Sequence, residues 1–166
     1  MEAATKEDGA TPLHIAALNG HAEVVRELLQ AGANKEAAME NGATPLHITA
    51  ENGHVEVVGA LLTAGANTEA ATKEDGATPL HIAALNGHAE VVRELLQAGA
   101  NKEAAMEDGA TPLLMAAQNG HVEVVGALLQ AGANTETANK EEQEEDGERP
   151  AAKRPRIDSG GGEKSP

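Results

Sequence analysis

The sequence predicts an all-α solenoid of four helix-turn-helix units with projecting hairpin loops, followed by a disordered tail. Three observations carry this reading. The string Thr-Pro-Leu starts at Thr11, Thr44, Thr78 and Thr111, in steps of 33, 34 and 33 residues. After each start the same signals return in order: a short, mostly apolar stretch, Asn-Gly-His, Val-Val, Leu-Leu and Gly-Ala-Asn. Past Ala138 the pattern stops and charge, Gly and Pro take over. A period of this length means stacked supersecondary units, because one unit alone cannot bury its apolar face. Function is then to be sought on a surface before any pocket.

In the first unit, Thr11 is placed to cap a helix N-terminus, and Pro12 follows at the first helical position, where its missing N–H is harmless. Leu13, Ala16 and Ala17 fall at helical spacing, and Gly20 after Asn19 supplies the left-handed residue that ends a helix of about two turns. A second helix opens near Glu23, whose charge suits the dipole, and Val24, Val25, Leu28 and Leu29 form its apolar stripe until Gly32 closes it. Ala33 to Ala43 is polar, carries Asn34 and Asn41-Gly42, and reads as an exposed turn or hairpin. The units span about 5–37, 38–70, 71–104 and 105–137, together one domain over 1–137. The additional residue of the 34-residue step falls between Asn67 and Gly76, within a loop.

A second periodicity overlies the first. Residues 2–40 and 69–107 are identical, so the copied element is a pair of units. Odd units carry Arg26-Glu27 or Arg93-Glu94 in the second helix, and even units carry Gly59-Ala60 or Gly126-Ala127. Glycine inside a helix is worth about 1 kcal/mol less than alanine, so the even units are expected to be the weaker ones. Neither the first unit nor the last has a polar outer face. The ends are therefore expected to fray, to self-associate, or to belong to a longer array.

These residues resemble the ankyrin repeat, with its TPLH-initiated first helix, its GH-starting second helix ending in LL and GA, and its hairpin finger. The likeness covers about residues 1–137. It implies a curved solenoid whose hairpin tips and first helices form a concave protein-binding face. It also implies a structural role for the TPLH histidines His14, His47 and His81, bonded to neighbouring loop backbone; Leu114 takes that place in the last unit. The finger departs from the family: Glu36, Glu69, Glu103 and Glu136 stand where many ankyrin proteins carry an asparagine that hydroxylases modify, so that modification is not carried over.

Composition narrows the function classes. Cysteine and aromatic residues are absent, which excludes disulfides and thiolate metal sites and suits a reducing intracellular compartment. No apolar run approaches the roughly 20 residues of a membrane span, and the Met-Glu-Ala-Ala start lacks the features of a signal peptide, so no membrane partner is expected. The net charge of −15 is carried almost wholly by the repeats, which argues against nucleic acid and leaves room for a basic protein partner.

Neither metal, cofactor nor catalysis is expected. The seven histidines recur across a turn or at whole-repeat spacing and do not converge as metal ligands do. Ser159 and Ser165, the two serines, both lie in the tail, so no Ser/His triad has a structured nucleophile. Acidic pairs such as Glu107-Asp108 sit in exposed loops with no cleft to perturb them.

The family geometry places partner contacts at the loop residues Glu7, Asp8, Glu40, Asn41, Glu74, Asp75, Glu107 and Asp108, and at the helix-one ends Leu18, Glu51, Leu85 and Gln118. The last four vary between units where the framework does not. Leu18 and Leu85 are either apolar groups on a carboxylate-ringed face or simple closures of the first helix against the second. In the tail, 138–166, the segment 150–158 reads PAAKRPRID. Lys153, Arg154 and Arg156 there resemble the single-cluster nuclear import signal of the Myc oncoprotein, which implies importin-alpha as a second partner. The expectation is a non-enzymatic adaptor that binds a protein partner in the nucleus. A targeting or spacer piece of a larger enzyme or structural protein, and a microbial effector acting in a host cell, share the same features.

Overall fold

A computed structural model describes residues 8–139. Glu7 and the basic cluster Lys153, Arg154 and Arg156 lie outside the described residues, as does nearly all of the tail. Eight α-helices alternate along the described chain: α1 (Pro12–Leu18), α2 (Ala22–Gln30), α3 (Pro45–Asn52), α4 (Val55–Thr63), α5 (Pro79–Asn86), α6 (Ala89–Gln97), α7 (Pro112–Gln118) and α8 (Val122–Gln130).

Each first helix starts as its letters dictate. Thr11, Thr44, Thr78 and Thr111 are extended N-caps whose hydroxyl oxygens accept the backbone N–H three residues on, and each is followed by proline. The second helices have no side-chain cap, but Glu23, Glu56, Glu90 and Glu123 sit in their first turns, where the dipole favours an anion. Between the two helices of a unit, the N–H of His21, His54, His88 or His121 reaches back to the carbonyl of residue 16, 49, 83 or 116 and satisfies an otherwise orphaned helix end.

The turn before that histidine needs glycine twice over. Gly53 has φ +74°, and a methyl group there would lie 2.7 Å from Nδ1 of His88; Gly20 faces His54 in the same way at 2.8 Å. The ring of one unit rests on the glycine of the unit before it.

Leu13, Leu46 and Leu80 from the first helices, with Val25, Leu61, Leu95 and Leu128 from the second, are fully buried. Alanines such as Ala17, Ala50, Ala83 and Ala84 let the helices approach closely without any aromatic residue. The first helices contact one another more extensively than the second helices do. Closer packing along the first helices is what the concave first-helix face implied by the resemblance requires.

The fingers form no strand among the described residues, although each loop closes like a hairpin. The Met39 N–H donates to the Ala43 carbonyl at 2.9 Å, but the returning Ala43 N–H goes to Oδ1 of Asn41 at 2.9 Å. The side chain thus takes the bond that would have begun a ladder. The additional residue of the 34-residue step sits at a finger tip: Thr72 N–H donates to Ala77, one residue further on than in the Met39–Ala43 and Met106–Ala110 pairs.

Candidate functional site

Three layers of polar contacts tie each unit to the next. The innermost uses the TPLH histidines. Nδ1 of His47 accepts the Thr44 N–H at 3.1 Å, so the ring proton is on Nε2, which donates 2.9 Å across to the Ala77 carbonyl. His14 donates likewise to Ala43 at 3.1 Å, and His81 to Ala104 and Ala110, both at 3.0 Å. Burial pushes His47 and His81 below the ordinary histidine range, against the opposing pull of those carbonyls and, for His81, of Asp108 and Asp75. A neutral ring with both nitrogens occupied has nothing left for a metal, and no cluster of potential ligands occurs among the described residues.

The second layer pins the ends of the first helices. His54, His88 and His121 donate from Nε2 to the carbonyls of Leu18, Glu51 and Leu85 at 3.1, 3.0 and 2.9 Å. Asn19, Asn52, Asn86 and Asn119 each donate to the carbonyl four residues back, at 2.8–2.9 Å. The residues that differ between units are therefore presented from a fixed backbone. Leu18 is 46% exposed and Leu85 37% exposed, and Glu51 and Gln118 are exposed at the equivalent positions.

The third layer joins the fingers. The Glu40 N–H donates to Asp8, Lys73 to Asn41 and Glu107 to Asp75, all at 2.9 Å. The carboxylates proposed from the sequence separate here into two kinds. Asp8 and Asp108, with Asn41, accept the N–H two residues on and so build the turn, and Asp75 accepts from the Thr72 hydroxyl at 2.6 Å. Glu40, Glu74 and Glu107 are exposed and leave their charge to solvent or to a partner. Exposed Lys73 breaks the acidic row.

The finger glutamates were noticed in the sequence only as a departure from the family. In the structure Oε2 of Glu36 accepts the Asn67 N–H at 2.8 Å, Glu69 that of Asn101 at 2.9 Å and Glu103 that of Asn134 at 2.8 Å. Their recurrence once per unit was the available signal. The charge-assisted bonds lock successive fingers to each other.

A family profile for ankyrin repeats in runs of three copies matches residues 1–72 and again 64–139. The chain belongs to the ankyrin-repeat family. It is an ankyrin-repeat protein of four helix pairs, and ankyrin repeats are in general protein–protein interaction modules. Comparison with curated proteins gives no match. Among the described residues, no helix is long and apolar enough to cross a membrane.

Viewed as an ankyrin array, the molecule has two unlike sides. The second helices carry Arg26, which pairs with Glu23 at 3.1 Å and with Glu56 of the next unit at 3.6 Å, and a shallow groove where Gly59 and Ala60 leave no bulk. Pairs this exposed contribute little. The ends of the first helices expose one variable position per repeat, Leu18, Glu51, Leu85 and Gln118.

Proposed function

We propose that this ankyrin array is a non-enzymatic adaptor whose inner face binds a protein partner through Leu18 and Leu85 set among carboxylates. The observation that carries the reading is the exposure of these two leucines on helix ends that the histidines of the following units hold in place. Exposed apolar groups held on a rigid frame are already ordered before binding, so a partner meets little entropic resistance. Glu40, Glu51, Glu74 and Glu107 around them favour a basic rim on the partner and faster encounter at low salt.

Affinity capture from a cell lysate tests this, with the intact chain compared against Leu18→Arg combined with Leu85→Arg. The adaptor reading expects the specifically retained protein to be lost from the double variant. Recovery of the same proteins by both forms overturns the assignment of the face.

A nuclear site of action is part of the same proposal and rests on sequence alone, on Lys153, Arg154 and Arg156 flanked by Pro150 and Pro155. Short extended basic clusters of this kind fit the acidic pockets of import receptors such as importin-alpha. Residues 147–166 fused to a fluorescent protein are expected to concentrate it in nuclei, and the Lys153→Ala, Arg154→Ala pair is expected to abolish this. A distribution unchanged by that pair removes the nuclear part.

A further inference from the structure

The two end faces of the stack are copies of surfaces that are already joined inside the chain. Residues 2–40 and 69–107 are identical, yet Val24 is 48% exposed and its equivalent Val91 0%. Pro12 and Ile15 are exposed in the same way, whereas Pro79 is buried and Ile82 half-buried. The cause is the neighbour: α5 and α6 lie against α3 and α4, and no described helix covers that side of α1 and α2. At the opposite end Val122 is 81% exposed, with Ala117 and Leu129 also open. Their equivalents Val55, Ala50 and Leu62 are half-buried or buried beneath the third unit, and these three residue types are kept.

A polar match accompanies the apolar one. In each internal junction a histidine ring rests on the preceding unit's glycine and donates to a helix-end carbonyl, as His88 does at Gly53 and Glu51. His21 has no such carbonyl among the described residues, and a methyl group at Gly120 would meet nothing within 4 Å. One end therefore carries the plug and the other the socket.

We propose that the chain associates with further copies of itself head to tail, the Val24 face of one copy seating on the Val122 face of the next. His21 would then rest on Gly120 and donate to the Gln118 carbonyl, reproducing the junction between the second and third units. The two surfaces differ, so the contact does not close as a two-fold dimer; each added copy exposes a fresh end and the assembly stays open. It is weaker than the internal junctions on two counts. Leu114 lacks the cross-unit bond that His14, His47 and His81 make, and copies with a net charge of −15 repel one another. Added salt therefore strengthens it.

Sedimentation velocity of the intact chain, with Val24→Glu and Leu129→Glu as single variants, tests the contact. Both sites are surface-exposed, and unchanged melting curves establish that the variants fold. The wild-type chain is expected to sediment faster as its concentration rises toward about 1 mM, the range in which weak contacts are half-formed. Each single variant is expected to stay monomeric. An equal mixture of the two is expected to form dimers and nothing larger, because it offers one intact face of each kind. His21→Ala is expected to weaken association by about tenfold, the equivalent of one hydrogen bond. A wild-type monomer at every concentration overturns the proposal, whether the chain's own ends or another protein then cover these faces. So does association that either single variant leaves intact, or a mixture that fails to pair. Partner capture through Leu18 and Leu85 is independent of these end variants, so the two readings fail separately.

Discussion

Nε2 of His88 donates to the carbonyl oxygen of Glu51 at 3.0 Å, and the same ring fills the space above Gly53, where φ is +74°. One contact thereby ties the second helix of the third repeat to the end of the first helix in the second. It fixes the backbone of a residue that differs from unit to unit, so the framework and the proposed partner face meet at this bond.

Removing that ring should loosen the surface more than it unfolds the protein. His88→Ala is expected to reduce stability by about 1 kcal/mol, the net worth of one hydrogen bond. Hydrogen exchange should quicken at the end of α3 while the buried amides of α6 keep their protection. A uniform rise in exchange across the array would contradict a local role.

Leu95, on α6, is fully buried in the core shared by the units. Leu95→Ala is expected to destabilise the array by about 2–5 kcal/mol, through lost apolar contact and the cavity left behind. In a solenoid the loss also uncouples the flanking units, so urea unfolding should become broader or biphasic. A midpoint shift below about 1 kcal/mol in equivalent free energy would show the interface to be more plastic than its packing suggests.

Gly59 stands in the middle of α4 with helical backbone, and a methyl group there meets nothing within 4 Å. Gly59→Ala is expected to stabilise by somewhat under or about 1 kcal/mol, by helix propensity and a less flexible unfolded chain. Thermal melts check this, and the absence of a gain would count against the helical assignment of that residue.

Acidification should weaken the fold before its carboxylates titrate. Burial lowers the pKa of His47 and His81, so the unfolded chain takes up protons at a higher pH than the folded one. Stability is then complete above the unfolded value of 6.5, declines as the pH falls below it, and stops declining once the folded rings protonate. Urea midpoints at about pH 7.5 and 5.5, both above the usual carboxylate range, should show lower stability at the acid value. Replacing both rings by Gln should flatten the difference; a slope unchanged by those substitutions would place its origin elsewhere.

Sequence and structure agree most closely where a residue acts on its own backbone. Thr44 before Pro45 and glycine after Asn52 are local signals, and the helix they bracket forms where they place it. The variable row at Leu18, Glu51, Leu85 and Gln118 was visible because everything around it repeats. Beyond the histidine bonds that the resemblance implied, bonds to atoms a whole unit away could not be read. The amide that Glu36 holds belongs to Asn67, and nothing in the letters of either residue names the other. The same holds for the division among finger carboxylates. Asp108 folds its turn and Glu107 faces solvent, and which does which depends on the path of the loop. The hairpin-like closure of the loops was legible from Asn41-Gly42, but that the Asn41 side chain, not the backbone, takes the returning N–H was not.

The central claim is that a protein partner occupies the inner face. Hydrogen–deuterium exchange on the array, alone and bound to the protein recovered by capture, tests it most directly. The account predicts slowed exchange at the finger tips around residues 39–43, 72–77 and 106–110 and at the ends of α1, α3, α5 and α7, with α2, α4 and α6 unchanged on their outer side. Protection confined to the second helices and the groove at Gly59 and Ala60 would contradict it.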